Sequence, residues 1–297
     1  MSKTTVKTVL PPLDAQAEFD VVKIDKQTYR GVKALGKISK EIRGVYGGNI
    51  AAQAILVALR SAPGYTPNSF HSYFLKAVND EIPLIWKVEE VSSGKSFAAR
   101  NILASQNGVV VFAAMVSLTT KNSTTKTSHK NSTQMDYSIA PGKTVLTQNL
   151  SGVPLTYVAS PVFLYLRFYE KQMEKDTYAF QVRWGIKNDP NYHQELKNIT
   201  PEFKFVGLTA LTDWAIIECL VEHLGLNISP QFDTSLDHSV YFHEDDFDID
   251  QWFLYVFKFK WIGNNRLLFK ADMYTEDNNK HVVSIVQEMF YVINSKL

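Results

Sequence analysis

The sequence predicts an α+β fold built twice in tandem, each copy an antiparallel sheet wrapped around one central helix. Three observations carry this. Two apolar stretches of helical length occur, at 50–59 and 206–224; strand-like segments follow each; and between them residues 119–134, TTKNSTTKTSHKNSTQ, hold no apolar residue. Such a stretch has nothing to bury against its ordering entropy and reads as an exposed linker. The chain then divides into an N-terminal tail (1–18), a first unit (19–118), a linker (119–149) and a second unit (150–297).

In the first unit residues 19–24 suggest a short strand. Tyr46-Gly47-Gly48-Asn49 opens the helix at 50–59, with Asn49 as N-cap. That helix, IAAQAILVAL, is apolar on nearly all sides, as expected of one surrounded by other structure. Strands follow at 68–74, 82–91, 96–106 and 109–119, the last two joined at Asn107-Gly108, a dipeptide that tolerates positive φ in a tight hairpin. In the second unit 163–170 and 178–186 read as strands. The helix at 206–224 places Ala210, Trp214, Ile217 and Val221 on one stripe and stops at Gly225. Strands at 236–243, 252–261, 267–275 and 281–293 complete it, with turns at Gly263-Asn264-Asn265 and 276–279. A strand, one buried helix and a run of antiparallel strands, given twice, describes two tandem hotdog domains. Joining their sheets edge to edge protects long edge strands from aggregation, and further association into a homo-oligomer is expected.

Composition narrows the function. Thirty-one Lys+Arg against 30 Asp+Glu leave a net charge of +1, which argues against a nucleic-acid partner, although a local basic patch for one phosphorylated ligand stays open. The single cysteine, Cys219, forbids a disulfide within the chain and a multi-thiolate zinc cage; it reads as a small hydrophobe or as a nucleophile. The seven His are scattered without an H-E-x-x-H pair, and Gly47-Gly48 is only a dipeptide, so neither a metal nor a nucleotide cofactor is expected. No apolar run reaches the ~20 residues of a membrane span, and residues 1–25 lack a signal-peptide core. Ser295-Lys296-Leu297 is a peroxisomal address, which predicts the import receptor as partner and the peroxisomal matrix as location.

Four places suggest chemistry. Asp213 sits in LTALTDWAIIECLVEHL, where a carboxylate is costly unless partnered or used; the alternative puts it on a solvent strip with Thr209, Thr212 and Glu218. Ser235, Asp237 and His238 share one hexapeptide. In an extended chain Ser235, Asp237 and Ser239 face one way and Leu236 and His238 the other, and there is no G-x-S-x-G elbow, so a serine-hydrolase triad is not expected. Gln287 interrupts the apolar strand VVSIVQEMFYV, either to satisfy a backbone group or to orient a water beside a carboxylate. His71 and Arg100 pose the same choice in the first unit.

Taken in order, RGVYGGNIAAQAILVAL (43–59), HSYFLKAVND (71–80), PLIWKVEEVSSGKSFAARNILASQNGVVVFAAMVSL (83–118), LTDWAIIECL, SLDHSVYFH, DQWFLYVFK and VSIVQEMF resemble the acyl-CoA thioesterase II family. Residues 170–202 resemble it less. The resemblance implies a double hotdog that hydrolyses acyl-CoA to free fatty acid and coenzyme A without a cofactor, with one peroxisomal branch. It implies a catalytic trio of Asp213, Ser235 and Gln287, in which Asp213 polarises water and the other two orient it. Gly47 and Gly48 are candidate oxyanion donors, and His71 and Arg100 candidate substrate contacts. Two other readings share the fold. An enoyl-CoA hydratase is disfavoured because no D-x-N-P-x-H pattern occurs, and a non-catalytic acyl-CoA-binding module because all three site residues are retained.

Overall fold

The computed structural model describes residues 8–37, 43–120, 144–146, 164–169, 177–185, 192–214, 225, 230–276 and 280–293. Its first central helix, Gly47–Ser61, is buried on every side from Gly48 to Leu59. The one amide of its IAAQAILVAL core is satisfied at both ends: Gln53 Nε2 donates to Phe19 O at 3.1 Å, and its Oε1 accepts from Trp86 Nε1 at 2.8 Å. The helix starts at Gly47, so Asn49 is not its cap. Tyr46 takes that position without a side-chain capping bond, while Asn49 Nδ2 donates to Gly36 O at 3.1 Å.

Around it lie Val21–Lys23, Thr28–Gly31, Ile85–Ser93, Phe97–Gln106, Val109–Thr119 and Thr66–Phe74, hydrogen-bonded in that spatial order. Asn107 and Gly108 both take positive φ, 50° and 76°, as the two-residue hairpin requires. Residues 19–24 divide: Phe19 ends a short helix, Ala15–Phe19, and only Val21–Lys23 is strand.

The second unit continues the same sheet through Asp237–Phe242, His281–Ile293, Arg266–Thr275, Phe253–Gly263, Thr177–Trp184, Leu164–Tyr169 and Thr144–Leu146, with Pro230–Ser235 also on His281–Ile293. Thr144–Leu146 falls inside the stretch expected as linker, most of which lies outside the described residues. The units meet edge to edge where Thr66–Phe74 pairs antiparallel with Asp237–Phe242, giving one sheet of 14 strands among the described residues. Asn264 and Asn265 supply the positive φ of the hairpin from Gly263 to Arg266.

The second central helix is Pro201–Thr212, five residues earlier than expected. Thr200 caps it and Pro201 fits its first turn, where no N–H donor is needed. The helix ends at Asp213, whose φ of −91° and ψ of 9° leave helical geometry; residues 215–224, expected as its continuation, and Cys219 lie outside the described residues. The two central helices touch directly, Tyr46 Oη donating to Ala210 O at 2.8 Å.

Residues 8–18, expected as part of a tail, are no loose tail. Thr8–Val9 and Leu13–Asp14 pair in parallel with Tyr192–His193 and Leu196–Lys197 of the second unit. Asp14 caps helix Ala15–Phe19, and Phe19, fully buried, packs edge-on to Trp184 at 6.3 Å. Leu13, Ala15 and Phe19 thus gain a core contact that a polar tail lacks. That apolar core runs through both units, from Trp86 and Phe112 to Phe257 and Phe269.

Candidate active site

Asp213 sits where the second central helix stops against the first turn of the other. It is 6% exposed, and its Oδ1 accepts from Ser235 Oγ at 3.0 Å and Gln287 Nε2 at 2.6 Å. Gln287 Nε2 also donates to Ser235 Oγ at 2.6 Å, which closes a three-membered cluster. The Gly48 backbone N–H donates to the same carboxylate, at the helix end whose dipole favours negative charge. Burial dominates and pushes Asp213 up to about 7; the bonds from Ser235, Gln287 and Gly48 pull it down only in part, and Asp233 adds to the rise.

Strand geometry delivers the other two members. Ser235, last in Pro230–Ser235, faces Met289, and Gln287 lies two residues away on the same inner face of His281–Ile293. Ser239 faces Val286, so four steps along one strand match three along the other. One extra residue at the bend Leu236 makes this a bulge and reverses the alternation. That is why Ser235 and His238 both reach the site, against the strict alternation expected for the hexapeptide. The three residues of the apparent triad separate in use. Ser235 serves Asp213, Asp237 accepts from Glu288 N at 2.7 Å, and His238 Nδ1 meets Gln287 Oε1 at 3.1 Å.

The first unit contributes more than expected. A Cβ on Gly47 would stand 2.4 Å from Asp213 Oδ2 and 2.9 Å from Phe74 Cε1, so only glycine lets the helix start against the carboxylate. Gly47 and Gly48 lie within the helix's first turn, not ahead of it. Tyr46 stacks edge-on to Trp214 at 5.6 Å, and Tyr255 Oη donates to Thr212 O. Burial, with Asp213 next in weight, holds both tyrosines well above the usual phenol range, so both stay protonated.

His71 and Arg100 are not brought to this cluster. His71 Nδ1 lies 3.1 Å from Ser239 Oγ, with its ring edge-on to Tyr241 at 5.3 Å. Arg100 is buried and spends its donors on Ser61 Oγ, Ser61 O, Ser92 O and Ser93 Oγ, closing the far end of the first central helix. The tripeptide at 295–297 lies outside the described residues. Among the described residues no cluster of three or more His, Cys, Asp or Glu is placed to hold a metal, and no helix is long and apolar enough to cross a membrane. Nothing in the sequence assigned Thr212, His238 or Tyr46 a part in the site: Thr212 stood only on the alternative solvent strip, His238 on the opposite face from Ser235, and Tyr46 only at the opening of the first helix.

Two family models match in tandem, the acyl-CoA thioesterase N-terminal domain over residues 39–119 and its C-terminal domain over residues 194–291. This chain belongs to the acyl-CoA thioesterase family. Asp213, Ser235 and Gln287 all fall in the second match, and Gly47 and Gly48 in the first. The unmatched residues between contain most of the stretch whose resemblance is weakest. Acyl-coenzyme A thioesterase 8 of Mus musculus is 25% identical over 272 residues, 86% of this chain and 81% of the relative. Peroxisomal acyl-coenzyme A thioester hydrolase 1 of Saccharomyces cerevisiae is 28% identical over 75 residues, 25% of this chain and 22% of the relative. The structure of acyl-CoA thioesterase II TesB2 from Mycobacterium marinum superposes with a TM-score of 0.65 at 20% identity, covering 95% of this chain and 98% of that one, which shows the shared double-hotdog fold. By family the chain is a thioesterase-type hydrolase.

Proposed function

We propose that this thioesterase hydrolyses acyl-CoA to free fatty acid and coenzyme A, using a water activated by Asp213. The observation that carries this is a buried carboxylate held near a pKa of 7 with two side-chain donors on one oxygen, so it can take a proton at neutral pH. Asp213 accepts a proton from the attacking water as its oxygen bonds to the thioester carbonyl carbon. Ser235 and Gln287 fix the acceptor and orient the water, which lowers the entropic part of the barrier. The tetrahedral oxyanion collapses, the C–S bond breaks, and the proton returns to the departing thiolate. The first turn of Gly47–Ser61 is the candidate source of oxyanion donors, being the helix N-terminus at the carboxylate. Purified protein should release thiol from palmitoyl-CoA; absence of release across a series of acyl chain lengths would sink this reading.

The peroxisomal part rests on Ser295-Lys296-Leu297 and is in keeping with the yeast relative's name. A fluorescent reporter ending in these three residues should collect in peroxisomes. The full chain lacking Leu297 should stay in the cytosol of cells without the intact copy, and import of that truncated chain would overturn the assignment.

A further inference from the structure

We infer that His238 and Thr212 are positioning residues of this site: the Thr212 hydroxyl sets the tautomer of His238, and His238 Nδ1–H holds the Gln287 amide with its nitrogen toward Asp213. The need for such a device follows from amide symmetry. The two ends of a glutamine amide have nearly the same shape, and a flipped Gln287 would set Oε1 where Nε2 now lies 2.6 Å from Asp213 Oδ1, acceptor against acceptor. In the structure both N–H bonds of Nε2 are used, one to Asp213 and one to Ser235, and Oε1 faces His238 Nδ1 at 3.1 Å. That contact is attractive only if Nδ1 carries the proton.

His238 is fully buried, and burial lowers it to about 4, so at neutral pH it holds a single N–H. With that proton on Nδ1, the bare Nε2 needs a donor, and Thr212 Oγ1 lies 2.8 Å away. Thr212 Oγ1 can instead donate its one proton to Thr209 O, 2.7 Å away, so the carbonyl and His238 Nε2 compete for it. If the hydroxyl donated there, Nε2 would have to be the protonated nitrogen, Nδ1 would oppose Gln287 Oε1 as a second acceptor, and the amide would be driven to flip. With Asp213 charged, one assignment satisfies each contact from Thr212 to the carboxylate, Thr212 to His238, His238 to Gln287 and Gln287 to Asp213 and Ser235, and it draws the single Thr212 proton away from Thr209 O. His238 lies 3.9 Å from the Asp213 carboxylate, beyond hydrogen-bond reach, so it acts through Gln287.

The inference rests on the proposed hydrolase for its kinetic test but not for its spectroscopic one. Nitrogen-15 NMR of the full chain with labelled histidine, with His238 assigned by its loss in His238→Asn, should show a protonated Nδ1, a bare Nε2 and no titration from pH 5 to 8. An Nε2–H tautomer would overturn the inference. With palmitoyl-CoA, His238→Leu should lower kcat by about 10-fold with little change in KM. Its acid limb should move to higher pH, because Asp213 loses a donor that favours its charged form. The other groups around Asp213, namely Asp233, Tyr46, Tyr255, Ser235 and the Gly48 N–H, are unchanged in this variant. His238→Asn, which can place an amide N–H where Nδ1–H stood, should restore most of the rate and the wild-type limb. In a Gln287→Ala background His238→Leu should add no further loss.

A wild-type rate and acid limb in His238→Leu, or an undiminished loss in the Gln287→Ala background, would overturn the inference. If His238→Leu does not fold, Thr212→Val should mix the two tautomers and shift the limb in the same direction, with Thr212→Ser restoring both; a single Nδ1–H tautomer in Thr212→Val would overturn it. A wild type with the expected tautomer but no thiol release would instead remove the hydrolase reading and leave the network standing.

Discussion

Asp213→Asn is expected to lower kcat by about 100-fold or more while gaining stability on wild type as pH rises from 5 to 8. The activity loss follows from the proposed role: the amide keeps the shape but cannot accept the proton of the attacking water. The stability change follows from linkage. Asp213 is raised from 3.8 to about 7 in the folded chain, so the native state holds a proton that the unfolded chain has released. That contribution is fully present below pH 3.8 and is lost as pH rises through 7. Between pH 5 and 8 wild type should lose on the order of 2 kcal/mol through this group alone, and the asparagine variant none of it.

Thermal melts of both proteins at the two pH values should show their Tm difference moving a few degrees in favour of the variant. In wild type, kcat/KM should fall about 10-fold per pH unit well below 7, as the acceptor becomes protonated. Ser235→Ala and Gln287→Ala should each cost less than Asp213→Asn and combine non-additively, since both bond to one carboxylate oxygen. An asparagine variant that folds and retains a wild-type kcat would take Asp213 out of the mechanism.

Much of this site was legible in the sequence because its parts lie in periodic segments. IAAQAILVAL read as a buried helix, Asn107-Gly108 read as a tight turn, and Gln287 stood out as the amide of an apolar strand. What stayed hidden depended on irregularities that have no period. The extra residue between Ser235 and Ser239 reverses an alternation, so strict two-residue counting put His238 on the wrong face. The start of the second helix was misplaced by five residues because its signal is Thr200-Pro201, a cap and a first-turn proline, and not the apolar run. The segment before residue 19 looked like a tail because Leu13 pairs with Leu196, about 180 residues away, a contact no local pattern announces. Likewise Gly47-Gly48 was a weak signal until the helix carrying Asp213 was placed against it.

Gly47→Ala and Gly48→Ala should separate catalysis from packing at that junction. A Cβ on Gly48 would meet the Ala210 carbonyl oxygen at 2.4 Å and the Tyr46 ring at 2.4 Å. The carbonyl belongs to the backbone of the second central helix, so the two helices must part. Gly48→Ala should therefore destabilise the chain by about 2–3 kcal/mol, read as a fall in Tm and in denaturation midpoint. A Cβ on Gly47 meets instead the ends of two side chains, Asp213 Oδ2 at 2.4 Å and the Phe74 ring at 2.9 Å. Both can rotate away, but a carboxylate that rotates leaves the donors of Ser235 and Gln287. A displacement of about 1 Å at a reacting group costs on the order of 100-fold in rate, so Gly47→Ala should lose kcat on that scale with a smaller loss of stability. Its KM should change less, because the residue is assigned to no substrate contact through its side chain. A Gly47→Ala enzyme with wild-type kcat would mean that the Asp213 carboxylate tolerates rotation, and its fixed orientation would then have no part in the rate.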